Sequence, residues 1–230
     1  YNWLFWSAAY ITQTADCSLA VIWSTEQAVW FDQEGPSSFT PLYGARHTMT
    51  LDGSNYRVTA PDGTVSLFSQ VTGKLLQTIT PGGQVLENVY AEGKLDETRR
   101  SITVSGTTYV NSWKYIYGSA AEASLIKSVT LRQWKTGGSW LEIRRILVDY
   151  YGTGSTIGSQ GDLKQITLQT LDTTWKDLTK QCFRYYTSTS GVGIQHGLKF
   201  VIGPEAYRRM EANGLDPLDP FVGHGDEGLG

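Results

Sequence analysis

Leu163-Lys164-Gln165-Ile166-Thr167-Leu168-Gln169 repeats a pattern already used at Ile126-Lys127-Ser128-Val129-Thr130-Leu131-Arg132. Each stretch reads as an apolar residue, two variable ones, then Val or Ile, Thr, Leu and a polar residue. Leu198-Lys199-Phe200-Val201 begins a third copy, and Leu76-Gln77-Thr78-Ile79-Thr80 is a degenerate earlier one. From Val129 to Ile166 to Val201 the steps are 37 and 35 residues. β-Branched residues suit a pleated, half-buried surface, so each copy predicts a strand.

A second pattern keeps the same period. Trp113-Lys114-Tyr115-Ile116-Tyr117, Leu147-Val148-Asp149-Tyr150-Tyr151 and Cys182-Phe183-Arg184-Tyr185-Tyr186 each end on Tyr, at steps of 34 and 35 residues. Between the patterns lie turns followed by Trp, Gly137-Gly138-Ser139-Trp140 and Asp172-Thr173-Thr174-Trp175. Two motifs on one period are a repeat signature. The unit is strand, turn, strand, then a polar loop such as Tyr151-Gly152-Thr153-Gly154-Ser155. A lone hairpin cannot bury its apolar face, so the units must stack edge to edge into a continuous sheet.

Upstream, Asp52-Gly53, Asp62-Gly63, Thr72-Gly73, Gly82-Gly83 and Glu92-Gly93 recur about every ten residues, the spacing of consecutive hairpins. Ile102-Thr103-Val104, Ser105-Gly106 and Thr107-Thr108-Tyr109-Val110 make the clearest of them. One helix is expected near residues 204–213: Pro204 suits its first turn, Glu205 complements its dipole, and Asn213-Gly214 ends it. The predicted fold is all-β, an open or partly coiled antiparallel sheet of stacked hairpin repeats with that short helix near the C-terminus. Residues 1–45 form an apolar, aromatic-rich β entry segment, 46–203 the hairpin repeats, 204–213 the helix and 214–230 a linker-like tail.

The 230 residues carry a net charge of −3, with 40% hydrophobic and 18% charged residues. That composition is globular, and it argues against a general attraction to nucleic acid or anionic lipid. The pairs Arg99-Arg100 and Arg144-Arg145 read as surface. Trp3-Leu4-Phe5-Trp6 lacks a basic flank and is too short to span a bilayer, so neither a signal peptide nor a membrane span is expected in it. Cys17 and Cys182 give no metal or redox spacing. The column that places Cys182 with Trp113 and Leu147 makes it a small core residue rather than a reactive thiol.

At these residues the chain resembles the RHS/YD-repeat proteins, in the degenerate form found in very large Planctomycetes-type secreted or surface proteins. The resemblance rests on Tyr150-Tyr151-Gly152 through Gly161-Asp162-Leu163-Lys164, on Phe183-Arg184-Tyr185-Tyr186-Thr187, and on the run from His196 to Tyr207. Upstream, Pro61-Asp62-Gly63-Thr64-Val65 through Gly73-Lys74-Leu75 is similar to the family's "DGT…GxL" pattern. It implies a strip of antiparallel strands winding into part of a shell, secretion or surface display, flanking repeats of the same polypeptide as partners, and in some members a C-terminal cargo. The family's Tyr-Asp dipeptide is missing, with Asp149-Tyr150-Tyr151 reversing it, and no self-cleavage motif is visible. No protease role is therefore carried onto Gly214-Leu215-Asp216-Pro217.

Residue by residue, chemistry is scarce. His47, His196 and His224 lack ligand spacing. Asp216, Asp219, Asp226 and Glu227 match no calcium loop, and there is no nucleophile elbow or phosphate loop. Gly152-Thr153-Gly154 and Gly158-Ser159-Gln160-Gly161 read as a flexible inter-repeat loop. No catalytic residue, metal or cofactor is expected. Trp113, Tyr115 and Tyr117 alternate and so share one strand face. They are read as a cross-strand ladder, with an exposed platform for sugar rings as the alternative. The expected role is a structural, non-enzymatic shell or scaffold segment. A carbohydrate-binding β module is the runner-up, and a glycan-active enzyme stands behind it.

Overall fold

The computed structural model describes residues 9–24, 27–189 and 193–218. Trp3 to Trp6, Asp219, His224, Asp226 and Glu227 lie outside them. The described chain is all-β with one α-helix. Its strands are β1 (Tyr10–Gln13), β2 (Leu19–Ile22), β3 (Ala28–Gly35), β4 (Ser38–Pro41), β5 (Thr48–Asp52), β6 (Asn55–Thr59), β7 (Val65–Ser69) and β8 (Leu75–Ile79). They continue as β9 (Val85–Ala91), β10 (Lys94–Val104), β11 (Thr107–Tyr117), β12 (Ile126–Lys135), β13 (Leu141–Tyr150), β14 (Leu163–Asp172), β15 (Thr174–Tyr185) and β16 (Leu198–Ile202). Helix α1 is Pro204–Ala212.

Strand neighbours follow sequence order from β1 to β16, so the sheet is open and built of hairpins, as the repeat pattern requires. The glycines expected in the turns after β5, β7, β9 and β10, namely Gly53, Gly73, Gly93 and Gly106, all take positive φ. The chain divides into two compact units, Tyr1–Lys114 with Gln133–Trp140, and Tyr115–Arg132 with Leu141–Gly230.

In the first unit the early strands coil. The edge of β1 turns back onto the β7–β8 turn: Ile11 N–H donates to Gly73 O at 2.7 Å, and Leu75 N–H donates to Ala9 O at 3.2 Å. An antiparallel bridge joins Tyr10 to Lys74. This coiling gives the strip an inside. Ile11, Val21, Phe31, Met49, Val58, Phe68 and Leu75 form one buried cluster, almost one residue per strand, with Phe39 and Tyr56 packed against it. The Phe39 and Tyr56 rings meet edge to face at 5.8 Å, a favoured aromatic geometry.

Beyond β8 most buried positions of this unit are polar, Leu95 being the apolar exception. Asn88 Nδ2 donates to Leu75 O at 3.2 Å, and Asn88 Oδ1 accepts from Thr98 Oγ1 at 3.0 Å. Glu97 is buried, bonded to Ser112 Oγ and paired with Arg99 at 2.7 Å. A buried carboxylate is tolerated only when paired and hydrogen-bonded, and both conditions hold here.

In the second unit, α1 packs across β15 through Cys182, Ile202, Tyr207 and Met210, joined by Leu218. Asn213 ends the helix and Gly214 follows at φ +72°. The start of the 214–230 segment is docked rather than extended into solvent: Pro217 is buried, and its carbonyl accepts from Arg184 Nη2 at 3.0 Å.

Closure of β1 depends on one position. Gly73 sits at φ +68°, and a Cβ there would lie 2.1 Å from the Ile11 carbonyl oxygen. Gly73→Ala is expected to destabilise the first unit by about 3 kcal/mol, from the left-handed backbone and the backbone clash together. Urea unfolding followed by Trp fluorescence measures it; an unchanged midpoint would mean that β1 does not dock on this turn.

Candidate functional site

The 35-residue period reappears as geometry. Val148 pairs with Ile166, and 35 residues later Phe183 pairs with Val201; Leu147 with Thr167 is likewise matched by Cys182 with Ile202. The register shifts by one residue between Asp149 and Tyr150, and again between Arg184 and Tyr185. The extra residue of each β-bulge is on the partner strand, Lys164 in β14 and Lys199 in β16, and in both copies the strand opposite it continues into Tyr-Tyr.

After each bulge the second Tyr is clamped by its own loop. Tyr151 N–H donates to Asp162 O and Tyr151 O accepts from Gly161 N–H, both at 2.9 Å. Tyr186 does the same with Gly197 O and His196 N–H, also at 2.9 Å. In each loop a glycine lies against the ring: a Cβ on Gly158 would come 2.1 Å from the Tyr151 ring, and one on Gly193 2.4 Å from Tyr186. Tyr151 is buried, donates its hydroxyl to Phe183 O at 2.7 Å and meets the Tyr185 ring edge-on at 6.4 Å. Burial drives the Tyr151 phenol well above its usual range, Tyr185 up to about 12 and the Cys182 thiol up to about 11.

The two loops are also tied to each other. Asp162 accepts from Ser159 N–H at 2.8 Å and contacts His196 Nδ1 at 2.8 Å, while Gln195 Nε2 reaches Ser159 Oγ at 3.3 Å. The Gly152–Gly161 stretch, read from sequence as a flexible inter-repeat loop, is thus pinned at Tyr151 and at His196. The Gly-Ser composition that suggests flexibility serves here to let backbone approach a ring.

A polar row crosses the same unit. Arg145 lies over the Trp175 ring at 4.2 Å and donates to Gln169 Oε1 at 2.6 Å. Gln169 Nε2 donates to Asp177 at 2.6 Å, and Lys180 pairs with Asp177 and with Glu211 of α1 at 3.2 and 3.5 Å. The hydrogen bond from Gln169 holds the Asp177 carboxyl below its usual value. These carboxylates and cations neutralise one another, an arrangement suited to holding strands and helix together. A shallow cavity of about 380 Å³ between β15 and α1 adjoins this row, and another of about 390 Å³ lies at the Gly152–Ile157 loop.

Trp113, Tyr115 and Tyr117 lie on β11 at alternate positions, all half-buried, with Trp113 opposite the buried Thr98. Among the described residues, the aromatic pairs are Trp23–His47, Trp30–Tyr43, Phe39–Tyr56 and Tyr151–Tyr185. Cys182 is buried with its thiol toward Pro217 O, Cys17 is exposed, and neither is in a disulfide. No group of three His, Cys, Asp or Glu among the described residues is placed to hold a metal ion. The sequence alone singled out the Tyr-Tyr pairs; the only written signal for the clamp was Gly at the same offset of seven from Tyr151 and Tyr186. No family model matches the chain, and no curated protein matches it.

The clamp separates two glycines of one loop. Gly158→Ala is expected to destabilise the second unit by roughly 2–3 kcal/mol through overpacking against the Tyr151 ring. Gly152→Ala, which meets nothing within 4 Å, should be neutral or slightly stabilising. Equal effects in chemical denaturation would refute the clamp.

The raised acids set a pH dependence. Cys182 and Tyr185 hold their protons more tightly when folded than at their ordinary values of 9 and 10. Their contribution is complete below about pH 9 and is lost as pH rises through 11 and 12. A denaturation midpoint that stays level across this window would show that both groups are solvated in the folded chain.

Proposed function

We propose that this chain is a structural β-repeat, an RHS-like shell or scaffold segment of a larger secreted or cell-surface protein, with no catalytic activity. The observation that carries the reading is the recurrence after 35 residues of pair register, bulge and clamped Tyr loop. A unit that repeats in register along one sheet presents the same edge to whatever follows it. Stability then accumulates unit by unit through neighbour contacts, which is how a repeat scaffold is built. Flanking repeats of the same polypeptide are the partners this implies, and secretion or surface display follows from the family resemblance. The half-buried setting of Trp113, Tyr115 and Tyr117 supports packing over sugar stacking.

Screening the purified chain against a glycan panel tests the reading. The expected result is neither saturable binding nor turnover. Micromolar binding to a glycan, abolished by Trp113→Ala in a variant that still folds, would replace the scaffold with a lectin-like module.

A further inference from the structure

The net charge of −3 hides a local imbalance. From Thr98 to Ala121 there is no Asp or Glu, while Arg99, Arg100 and Lys114 are present; Gln133–Trp140 adds Lys135 and again no acid. Those of them in the first unit, up to Lys114 and over Gln133–Trp140, include the distal half of the β10–β11 hairpin and the turn beside it, joined where Thr136 N–H donates to Thr108 O at 3.0 Å.

This distal half is two-faced. Register sets Arg100 opposite Asn111, Ile102 opposite Tyr109 and Val104 opposite Thr107. Alternate residues share a face, so Arg100, Ile102, Val104 and Tyr109 stand together. Ile102 is 58% exposed, Val104 53% and Tyr109 46%, leaving a contiguous apolar patch at the tip with a cation at its base. The opposite face is more polar, carrying Ser101, Thr103 and Thr108 with one half-buried Val110, and the Thr103 and Thr108 hydroxyls are bonded at 3.0 Å. Arg99 is engaged by Glu97. Arg100 and Lys135 are exposed and have no carboxylate partner among the described residues.

We propose that this amphipathic hairpin tip docks on an anionic lipid surface. Ile102 and Val104 enter the acyl boundary, where aliphatic area is removed from water. Tyr109 lies at headgroup level, the place amphipathic rings favour, and Arg100 and Lys135 meet lipid phosphates. A polynucleotide or a sulfated glycan would use the two cations but leave Ile102 and Val104 in water, so lipid fits the whole patch. The tip is far too short to cross a bilayer and rests on its surface.

Flotation of the purified chain with phosphatidylcholine vesicles, with and without about one-third phosphatidylglycerol, tests this. The chain should float with the anionic vesicles and stay soluble with the neutral ones. Ile102→Ser/Val104→Ser/Tyr109→Ser should lower partitioning roughly tenfold or more, and Arg100→Gln/Lys135→Gln should erase the preference for phosphatidylglycerol. The substituted side chains are exposed, so circular dichroism should be unchanged; Val104→Asp alone makes the same test if the triple variant misfolds. The proposal is overturned if the unaltered chain ignores anionic vesicles, if the apolar variants float equally well, or if heparin binds as tightly and the triple variant retains that binding.

Discussion

A strand edge carries a row of unpaired N–H and C=O groups, and the first unit depends on how the edge of β1 is satisfied. It lies against the β7–β8 turn, where Gly73 and Leu75 exchange hydrogen bonds with Ile11 and Ala9. That contact brings the first strand back onto the eighth. Only a coiled strip has an inside, and only an inside can bury Phe31, Val58 and Phe68 together. Backbone pairing and the hydrophobic core go together here: the apolar residues are distributed along the strip and meet in one cluster where β1 bonds back to the β7–β8 turn.

The second unit meets the same difficulty with a different device. Its long strands carry half-buried faces, and order at their ends comes from the bulge and the clamped tyrosine. The bulge lies opposite the Tyr-Tyr pair, the second Tyr is bonded to its own loop, and a loop glycine lies against its ring. Because the device occurs twice at one spacing, the two loops come into register and Asp162 meets His196. Helix α1 then covers Cys182 and Ile202 on one face.

Much of this was legible in the sequence, and the reasons differ by element. Turns such as Asp52-Gly53 and Ser105-Gly106 are local, since a positive φ at Gly follows from the residue itself. The 35-residue period was legible because strand pairing copies sequence spacing into space. Helix α1 announced itself through Pro204 and Asn213-Gly214. Glu97, by contrast, sits in a charged stretch, Lys94 to Arg100, that any composition rule would leave on the surface. It is buried because Ser112 and Arg99 arrive from the paired strand and from two residues along its own. His196 read as a turn residue, and so it is, at φ +67°; its bond to Asp162 spans 34 residues and no local rule anticipates it.

The sequence by itself determined the all-β class, the positions of the turns, the repeat length and the terminal helix. Each of these depends on propensity, on backbone freedom at single residues, or on periodicity, all of which act over a few neighbouring positions. Tertiary structure decided that β1 bonds back to Gly73, that Gly158 and Gly193 are ring seats while Gly152 faces open space, and that a charged stretch supplies a buried carboxylate. Those outcomes depend on which distant groups come within hydrogen-bonding or van der Waals reach, and that distance is set only when strands pair and loops dock within each unit.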